Sequence, residues 1–266
     1  LHIMGIPVLI LGESGSGKTC SLRNFVPGEI KIFSVAGKRL PFRSRIEVEL
    51  NSTYDSIKEG LKKGGFKSFA IDDSQYLMAF EMFSRVKETG YNKFTDIAVN
   101  FRSLIDTISR ELPADTIVYL LHHTERCDDG HIKVKTVGKM LDNQLTVEGL
   151  FETVLICEVK ETSHYFITQS DGLTPAKSPM GMFQTVIDND LKFVDTSIRN
   201  FYGMTDGEKC EECGSTVIAS STRTAEEIIT GSRKAYGKTL CLDCVKKRVA
   251  AAKKGAVSNA AASVSG

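Results

Sequence analysis

The chain has 266 residues, of which 41% are hydrophobic and 25% charged, an ordinary globular balance that excludes a disordered or fibrous protein. With 34 Lys and Arg against 33 Asp and Glu, its formal net charge is +1, so any nucleic-acid or membrane partner has to be argued from local clusters. The longest apolar runs, IPVLIL and IVYLL, fall far short of a membrane span, and no signal-peptide pattern precedes them, which predicts a cytoplasmic protein without a membrane partner. The opening LHIMG suggests Met4 as the natural initiator.

The first predicted element is a strand from Ile6 to Leu11, running into GESGSGKT. Gly12, Gly17, Lys18 and Thr19 stand in the GxxxxGK[ST] spacing of a Walker A loop, which predicts strand, loop and helix in that order. Glycines let successive backbone N–H groups turn toward phosphate oxygens, and a following helix N-terminus adds its dipole. Gly12, Glu13, Ser14, Gly15, Ser16, Gly17, Lys18, Thr19 and Cys20 are the candidate nucleotide-binding residues, with Lys18 neutralising the β/γ charge of ATP and Thr19 offering its hydroxyl to Mg²⁺. A glycine-rich turn that binds nothing gives no reason for Lys18.

A strand over Lys31 to Val35 comes next, then a connection containing RIEVEL and a short helix around Ile57 and Leu61. KSFAIDDSQYL supplies the acidic signal: Phe69 to Ile71 form a buried strand, and Asp72 and Asp73 follow at its C-terminal end, where open α/β sheets bind ligands. Asp72 is the candidate Mg²⁺ holder. Asp73 is either a catalytic carboxylate that polarises the attacking water or an N-cap before Tyr76.

Phe94, Ile97, Ala98, Phe101, Leu104, Ile105, Ile108 and Leu112 recur at helical spacing until Pro113, the stripe of a core helix. A buried strand over 116–121 delivers His122 and His123 to the sheet edge where a γ-phosphate would sit. His122 is the candidate sensor, one histidine being expected to face the nucleotide and the other the core. Zinc bound by His122, His123, Cys127 and His131 is a weaker alternative, because adjacent residues of a strand point apart. Asp128, Asp129 and Gly130 read as a turn, followed by Lys133, Lys135 and Lys139 as either a nucleotide-responsive DNA contact or a plain solvated hairpin. ETVLICEV and HYFITQ read as an antiparallel pair.

GESGSGKTCSLRNF, AIDDSQYLMA, KTVGKMLDNQLTVEGLF, AKSPMGMF and VIDNDL together resemble bacteriophage ATP-binding proteins with a RecA-like core, related to Sak-type single-strand annealing ATPases, over about residues 5 to 202. The resemblance implies an α/β fold of the ASCE P-loop class with a mainly parallel sheet, ATP with Mg²⁺, and annealing or recombination of single-stranded DNA in the bacterial host. It also implies a homo-oligomer, with a phage or host recombination or single-strand-binding protein as a further partner. Lys177 in AKSPMGMF occupies the place of a lysine that reaches a neighbouring subunit's ATP in RecA relatives. FSVAGKRLPF lacks the catalytic acid that many such relatives carry after the second strand, which throws more of the work on Asp73.

Seven cysteines are spread unevenly, and four of them form two CxxC pairs, Cys210 with Cys213 and Cys241 with Cys244. In a cytosolic chain this spacing favours one structural tetrahedral zinc over a redox dithiol. From Gly231 to Lys254 eight basic residues face only Asp243, which reads as a phosphate-backbone contact or a basic face for a protein partner. TAEEIITGSRKAYGKTLCLDC also resembles zinc-bearing tails of phage recombination proteins. The expected organisation is an ATPase domain over 4–203, a zinc module over 207–250 and a disordered tail over 255–266. The rival functional readings are a nucleotide-gated regulatory protein with slow turnover and, less well supported by the paired acids, a small-molecule P-loop kinase.

Overall fold

A computed structural model describes residues 4–90, 92–137, 146–204, 207–218, 220 and 223–262, with side chains as far as 252. The chain divides into two units, Leu1–Asp195 and Thr196–Gly266.

The first unit is built on a sheet whose strands are β1 (Ile6–Gly12), β2 (Ile30–Ser34), β3 (Glu47–Leu50), β4 (Ser68–Asp72), β5 (Ile117–Arg126), β6 (Ile132–Val134), β7 (Thr153–Lys160), β8 (Ser163–Ile167) and β9 (Val186–Asp188). The order is β3-β2-β4-β5-β1-β7-β8-β9, with β6 added on the extension of β5. Strands β3, β2, β4, β5, β1 and β7 run parallel, whereas the β7–β8–β9 pairs and the β5–β6 hairpin are antiparallel. This is the mixed α/β, mostly parallel P-loop architecture the sequence predicts. Because the central strands share a direction, their C-terminal ends, Gly12, Ser34, Asp72 and His123, lie along one edge, and the register pairs Gly12 with His123 and Ser34 with Asp72.

Parallel strands are covered on both faces, so their residues are almost continuously apolar. Leu9, Leu11, Phe33, Phe69, Ile71, Val118 and Leu120 form one face of the core. Onto it packs the apolar stripe of α3 (Asn92–Glu111), including Ile97, Phe101, Leu104, Ile105 and Ile108, joined by Ile57 and Leu61 of α1 (Tyr54–Lys63) and Leu77 and Met78 of α2 (Gln75–Ser84). Each such side chain contributes about 1.5–3 kcal/mol on burial. Thr53 caps α1 through a reciprocal capping box with Ser56, and Pro113 follows the last turn of α3. Elsewhere in the sheet, the buried carboxylate of Asp195 accepts the hydroxyls of Ser68 and Tyr119.

Two local expectations are corrected. The element after the Walker A loop is a single 3-10 turn over Thr19–Leu22, with Pro27 and Gly28 soon after it, so a helix dipole contributes little at the loop. The stretch read as a connection around RIEVEL contains β3, a parallel edge strand paired residue for residue with β2.

The second unit carries α5 (Ala225–Tyr236) and α6 (Leu242–Ala262), while α4 (Leu191–Phe201) spans the boundary between the units. Val217, Ile228, Leu240, Cys210 and Cys244 form its small core among the described residues. Thr224 and Glu227 form a capping box at the start of α5, and Gly237 ends that helix in the left-handed conformation. Helix α6 runs to Ala262, over much of the stretch where composition suggests a disordered tail; residues 263–266 lie outside the described residues.

Candidate functional site

The loop after β1 closes on itself with Ser16 N–H donating to Glu13 O at 3.2 Å. Two of its glycines are required by close approach. A Cβ on Gly12 would stand 2.5 Å from Ser16 Oγ, and one on Gly17, whose φ is +98°, would stand 2.8 Å from His164 Nδ1. The amides of Gly15, Gly17 and Lys18 donate to no acceptor among the described residues, and the buried Ser16 hydroxyl is likewise unpaired there. Lys18 is 6% exposed, with its ammonium donating to Gly12 O at 2.8 Å and Glu13 O at 2.9 Å. Burial lowers its pKa, against the opposing pull of Cys157, Asp73 and Asp72. A buried cation resting on neutral carbonyls, beside unpaired amides, suits an anion of phosphate type. Glu13, Ser14 and Gly15 form the exposed crest of the loop, and Cys20 is half-buried beneath it.

Thr19 and Asp72 meet across the site, the hydroxyl donating to Oδ1 at 2.9 Å and lying 3.1 Å from Oδ2. Burial, followed by the neighbouring Asp73 charge, raises the Asp72 pKa to about 6 despite the Thr19 hydrogen bond and the charge of Lys18. A buried carboxylate beside a hydroxyl, short of a full counter-charge, suits a divalent cation with oxygen ligands.

Asp73 has a different environment. It sits at φ +61°, and its carboxylate accepts Lys38 Nζ at 2.8 Å through Oδ2 and His123 Nε2 at 3.2 Å through Oδ1. Burial pushes its pKa up, but the hydrogen bonds from His123 and Lys38 and the Lys38 charge outweigh it and hold the group at about 2. Tyr76 flanks this trio, with Lys38 Nζ 5.6 Å from its ring centroid and the His123 ring edge-on at 6.1 Å. The side chain of Asp73 is therefore not an N-cap; α2 starts without a side-chain cap, and Tyr76 N–H bonds the Asp73 carbonyl instead.

The two adjacent histidines do point apart, and the core one is His122. It is fully buried, with Nδ1 2.9 Å from Ser74 Oγ and Nε2 2.8 Å from Lys135 O. A carbonyl only accepts, so Nε2 carries the proton and Nδ1 accepts the serine hydroxyl. Burial, against the raising effect of the Lys135 carbonyl, lowers its pKa to about 4, which keeps the ring neutral. The sensor assignment to His122 is thus corrected: its two nitrogens tie the segment after β6 to the turn behind Asp73, and His123 is the histidine beside the acids. Nor do the histidines converge on a metal. His131 Nδ1 lies 3.1 Å from Asp129 Oδ2, Lys133 pairs with Glu125 at 3.5 Å, and Gly130 closes the expected β-turn. Lys139 lies outside the described residues.

Residues that sequence reasoning passed over complete the wall. The carbonyl of Ser16 accepts His164 Nδ1–H at 2.7 Å and the Cys157 thiol at 3.0 Å, and Asn189 Nδ2 approaches the same sulfur at 3.0 Å. Burial pushes the Cys157 pKa up to about 11, so it remains a thiol donor. A cavity of about 330 Å³ lies over Gly12–Ser16 and is lined on its far side by Thr124, Arg126 and Glu158. Lys177 is distant from its own phosphate loop. Its backbone pairs with Val154, which lies opposite Leu9, three residues before Gly12 and so about 10 Å back along the strand.

In the second unit, Cys210, Cys213, Cys241 and Cys244 bring their sulfurs within 4.8 Å of one another. Gly214, at φ +75°, turns the first knuckle, with its N–H bonding Cys210 O at 2.8 Å. Cys241 precedes α6 and Cys244 lies in its first turn. The Cys213–Cys241 sulfurs are 3.7 Å apart, close to the edge of about 3.8 Å for a tetrahedron with Zn–S of about 2.3 Å. Burial acts to raise the Cys210 pKa, but amides of Cys241, Cys213 and Glu212 bring it down to about 6, while burial and neighbouring thiols push Cys244 up. Not all of the nearby basic residues are unpaired: Arg233 bonds Glu208, and Arg248 bonds Glu212 at 2.8 Å. The acids that pair with them lie earlier in the chain than the basic run.

No protein-family model and no curated protein matches the chain. Among solved structures, a DnaB-like replicative helicase, described together with its interactions with primase, is similar at 14% identity and a TM-score of 0.38. The match covers 61% of this chain and 52% of that one, about half the helicase's length.

Proposed function

We propose that the chain is an Mg²⁺-dependent ATPase that binds single-stranded DNA and promotes its annealing or recombination, acting as a homo-oligomer in the cytoplasm of a phage-infected bacterium. The observation that carries the nucleotide part is the buried Lys18 ammonium, held by carbonyls beside unpaired amides and next to the Thr19–Asp72 pair. Lys18 and the amides of Gly15, Gly17 and Lys18 would hold the phosphates. Thr19 and Asp72 would hold Mg²⁺, which supplies charge neutralisation and alignment of the phosphates. Asp73 orients water as a fixed anion, and His123 holds that anion in place on the nucleotide side. The DNA part rests on the resemblance of the sequence motifs and on the exposed lysines 234, 238, 246 and 247 of the cysteine-bearing unit.

The four thiols fit one structural zinc, whose binding would secure a core too small to hold by itself. ATPase residues 4–203, a zinc module over 207–250 and a tail beyond it remain the proposed organisation, with a recombination or single-strand-binding protein as partner. No helix among the described residues is long and apolar enough to cross a membrane.

A second reading, a regulatory protein with slow turnover acting through a protein partner, is favoured by one observation: Asp73, at a pKa of about 2, is a weak base. Calorimetry with ATP and a turnover assay with and without single-stranded DNA test both. Lys18→Ala should abolish ATP binding, and DNA should raise wild-type turnover. Binding unchanged by the substitution sinks the phosphate-loop assignment; turnover indifferent to DNA favours the regulatory protein.

A further inference from the structure

We propose that the strap from Lys38 to Arg45 is a binding site for single-stranded nucleic acid, tethered at its base to Asp73. The proposal rests on the nucleic-acid reading above and assigns that role to a part of the ATPase unit.

Strands β2 and β3 are parallel neighbours, yet residues 35–46 cross between them without a helix. Parallel crossovers are usually helical, and irregular connections of this length are commonly functional. The strap is fixed at both ends. At the first, Lys38 N–H donates to Ser34 Oγ at 3.1 Å and the same hydroxyl lies 3.2 Å from Lys38 O, around Gly37 at φ +66°. At the other, Ile46 is 7% exposed and its N–H donates to Ser44 Oγ at 3.0 Å.

Between these anchors Arg39, Arg43 and Arg45 are exposed and make no hydrogen bond or ion pair among the described residues. The acids next along the chain are already engaged, since Lys31 Nζ reaches Glu47 at 3.2 Å and Glu49 at 3.1 Å. Three guanidiniums are thereby left to face solvent on a segment whose ends cannot move far. Solvated surface arginines are the ordinary alternative, but those need no anchors and no neutralisation of the flanking acids.

Phe42 stands half-buried between Pro41 and Arg43. An aromatic face among arginines recognises unpaired bases by stacking and their phosphates by charge, whereas a duplex offers only the second. The strap also starts at the nucleotide edge. Lys38 belongs to it and its ammonium holds Asp73 at 2.8 Å, so a strand bound on the strap competes directly for the charge that holds the acid.

The test is fluorescence anisotropy of a labelled oligothymidylate with the full chain over a series of salt concentrations. R39Q/R43Q/R45Q should bind at least about tenfold more weakly, and the slope of log affinity against log salt should fall in magnitude by about 2, near 0.7 for each phosphate that an arginine no longer neutralises. Its DNA-independent ATPase and thermal melting should match the wild type, which reports an intact fold. Phe42→Ala should weaken the oligothymidylate while sparing a duplex of equal length. If the wild type binds oligothymidylate and the triple variant binds it with the same affinity and slope, the strap assignment is overturned and the DNA reading stands. If the wild type does not bind at low salt, the DNA reading itself fails and the strap with it. Equal effects of Phe42→Ala on single strand and duplex overturn the single-strand assignment.

Discussion

Replacing Asp72 by asparagine should stabilise the metal-free protein while removing its response to Mg²⁺. The native pKa of about 6 stands above the unfolded value of 3.8, so the folded state binds this proton more tightly than the unfolded chain does. Stability from this group is present below pH 4 and is lost as pH rises through 6. At pH 7.5 the ionised carboxylate therefore costs about 3 kcal/mol, an order-of-magnitude figure from about two units at 1.36 kcal/mol each. Asparagine keeps an acceptor for Thr19 and removes the charge. For a unit of this size the gain corresponds to roughly 6–12 °C in Tm.

Scanning calorimetry without metal checks this at two pH values. At pH 7.5 Asp72→Asn should melt above the wild type; at pH 5, about midway between the unfolded and native pKa values, the gap should shrink to about half, and it closes only below about pH 4. Added Mg²⁺ with nucleotide should raise the wild-type Tm and leave the variant's unchanged. A variant less stable than the wild type at both pH values would refute the reasoning, because Asp72 would then be a structural partner of Thr19 rather than a carboxylate held ready for a cation.

Asp73→Asn should preserve ATP binding and slow turnover by about two orders of magnitude if the anion is needed at the reacting water; because Lys38 is largely exposed, removal of its ion pair should cost no more than about 1 kcal/mol. Normal turnover would reduce Asp73 to a clamp for Lys38. Elemental analysis should find one zinc per chain in the wild type and none in a Cys241→Ser, Cys244→Ser variant whose ATP binding is intact; zinc retained at full stoichiometry would contradict the four-sulfur site. Mixing Lys18→Ala with Lys177→Ala subunits should restore part of the hydrolysis that each lacks alone, and mixtures that co-assemble but stay inactive would rule out Lys177 as a donor to a neighbouring site.

Fixed-spacing and periodic features were legible in the sequence. The Walker A spacing, the acids after Ile71, the stripe from Ile97 to Ile108 and the paired cysteines each encode local geometry in residue type and interval. What was not legible depends on the meeting of distant segments. Nothing in GKRLPF announces that Lys38 meets Asp73, since that pairing is set by the β2–β4 register that places Ser34 beside Asp72. Alternation along β5 requires that His122 and His123 diverge but does not say which turns inward; Phe101 and Ser74, beside the His122 ring, decide it. The helix expected after Thr19 yields to a short turn because Pro27 and Gly28 end the segment early, a breaker signal that the sequence does carry. Likewise Arg233 and Arg248 look unpaired in a local charge count and find Glu208 and Glu212 only once the second unit folds.

The two neighbouring acids are driven in opposite directions, Asp72 up to about 6 and Asp73 down to about 2, and this separation describes the resting site. Asp72 lacks a full counter-charge, whereas Asp73 already has one in Lys38. A carboxylate with a pKa near 2 and both oxygens engaged takes up a proton poorly, so under the proposed function the site as it stands would bind a nucleotide better than it would hydrolyse one. Lys38 is 62% exposed on its side chain while Asp73 is 10% exposed, so the lysine is the partner open to competing anions. Under the proposed function, an arriving polyphosphate would compete for that ammonium on the nucleotide side, and a polyanion on the strap would compete from the solvent side. On the same proposal, either would free one Asp73 oxygen while His123 continues to hold the other, which would make strap occupancy a physical route from nucleic-acid binding to turnover.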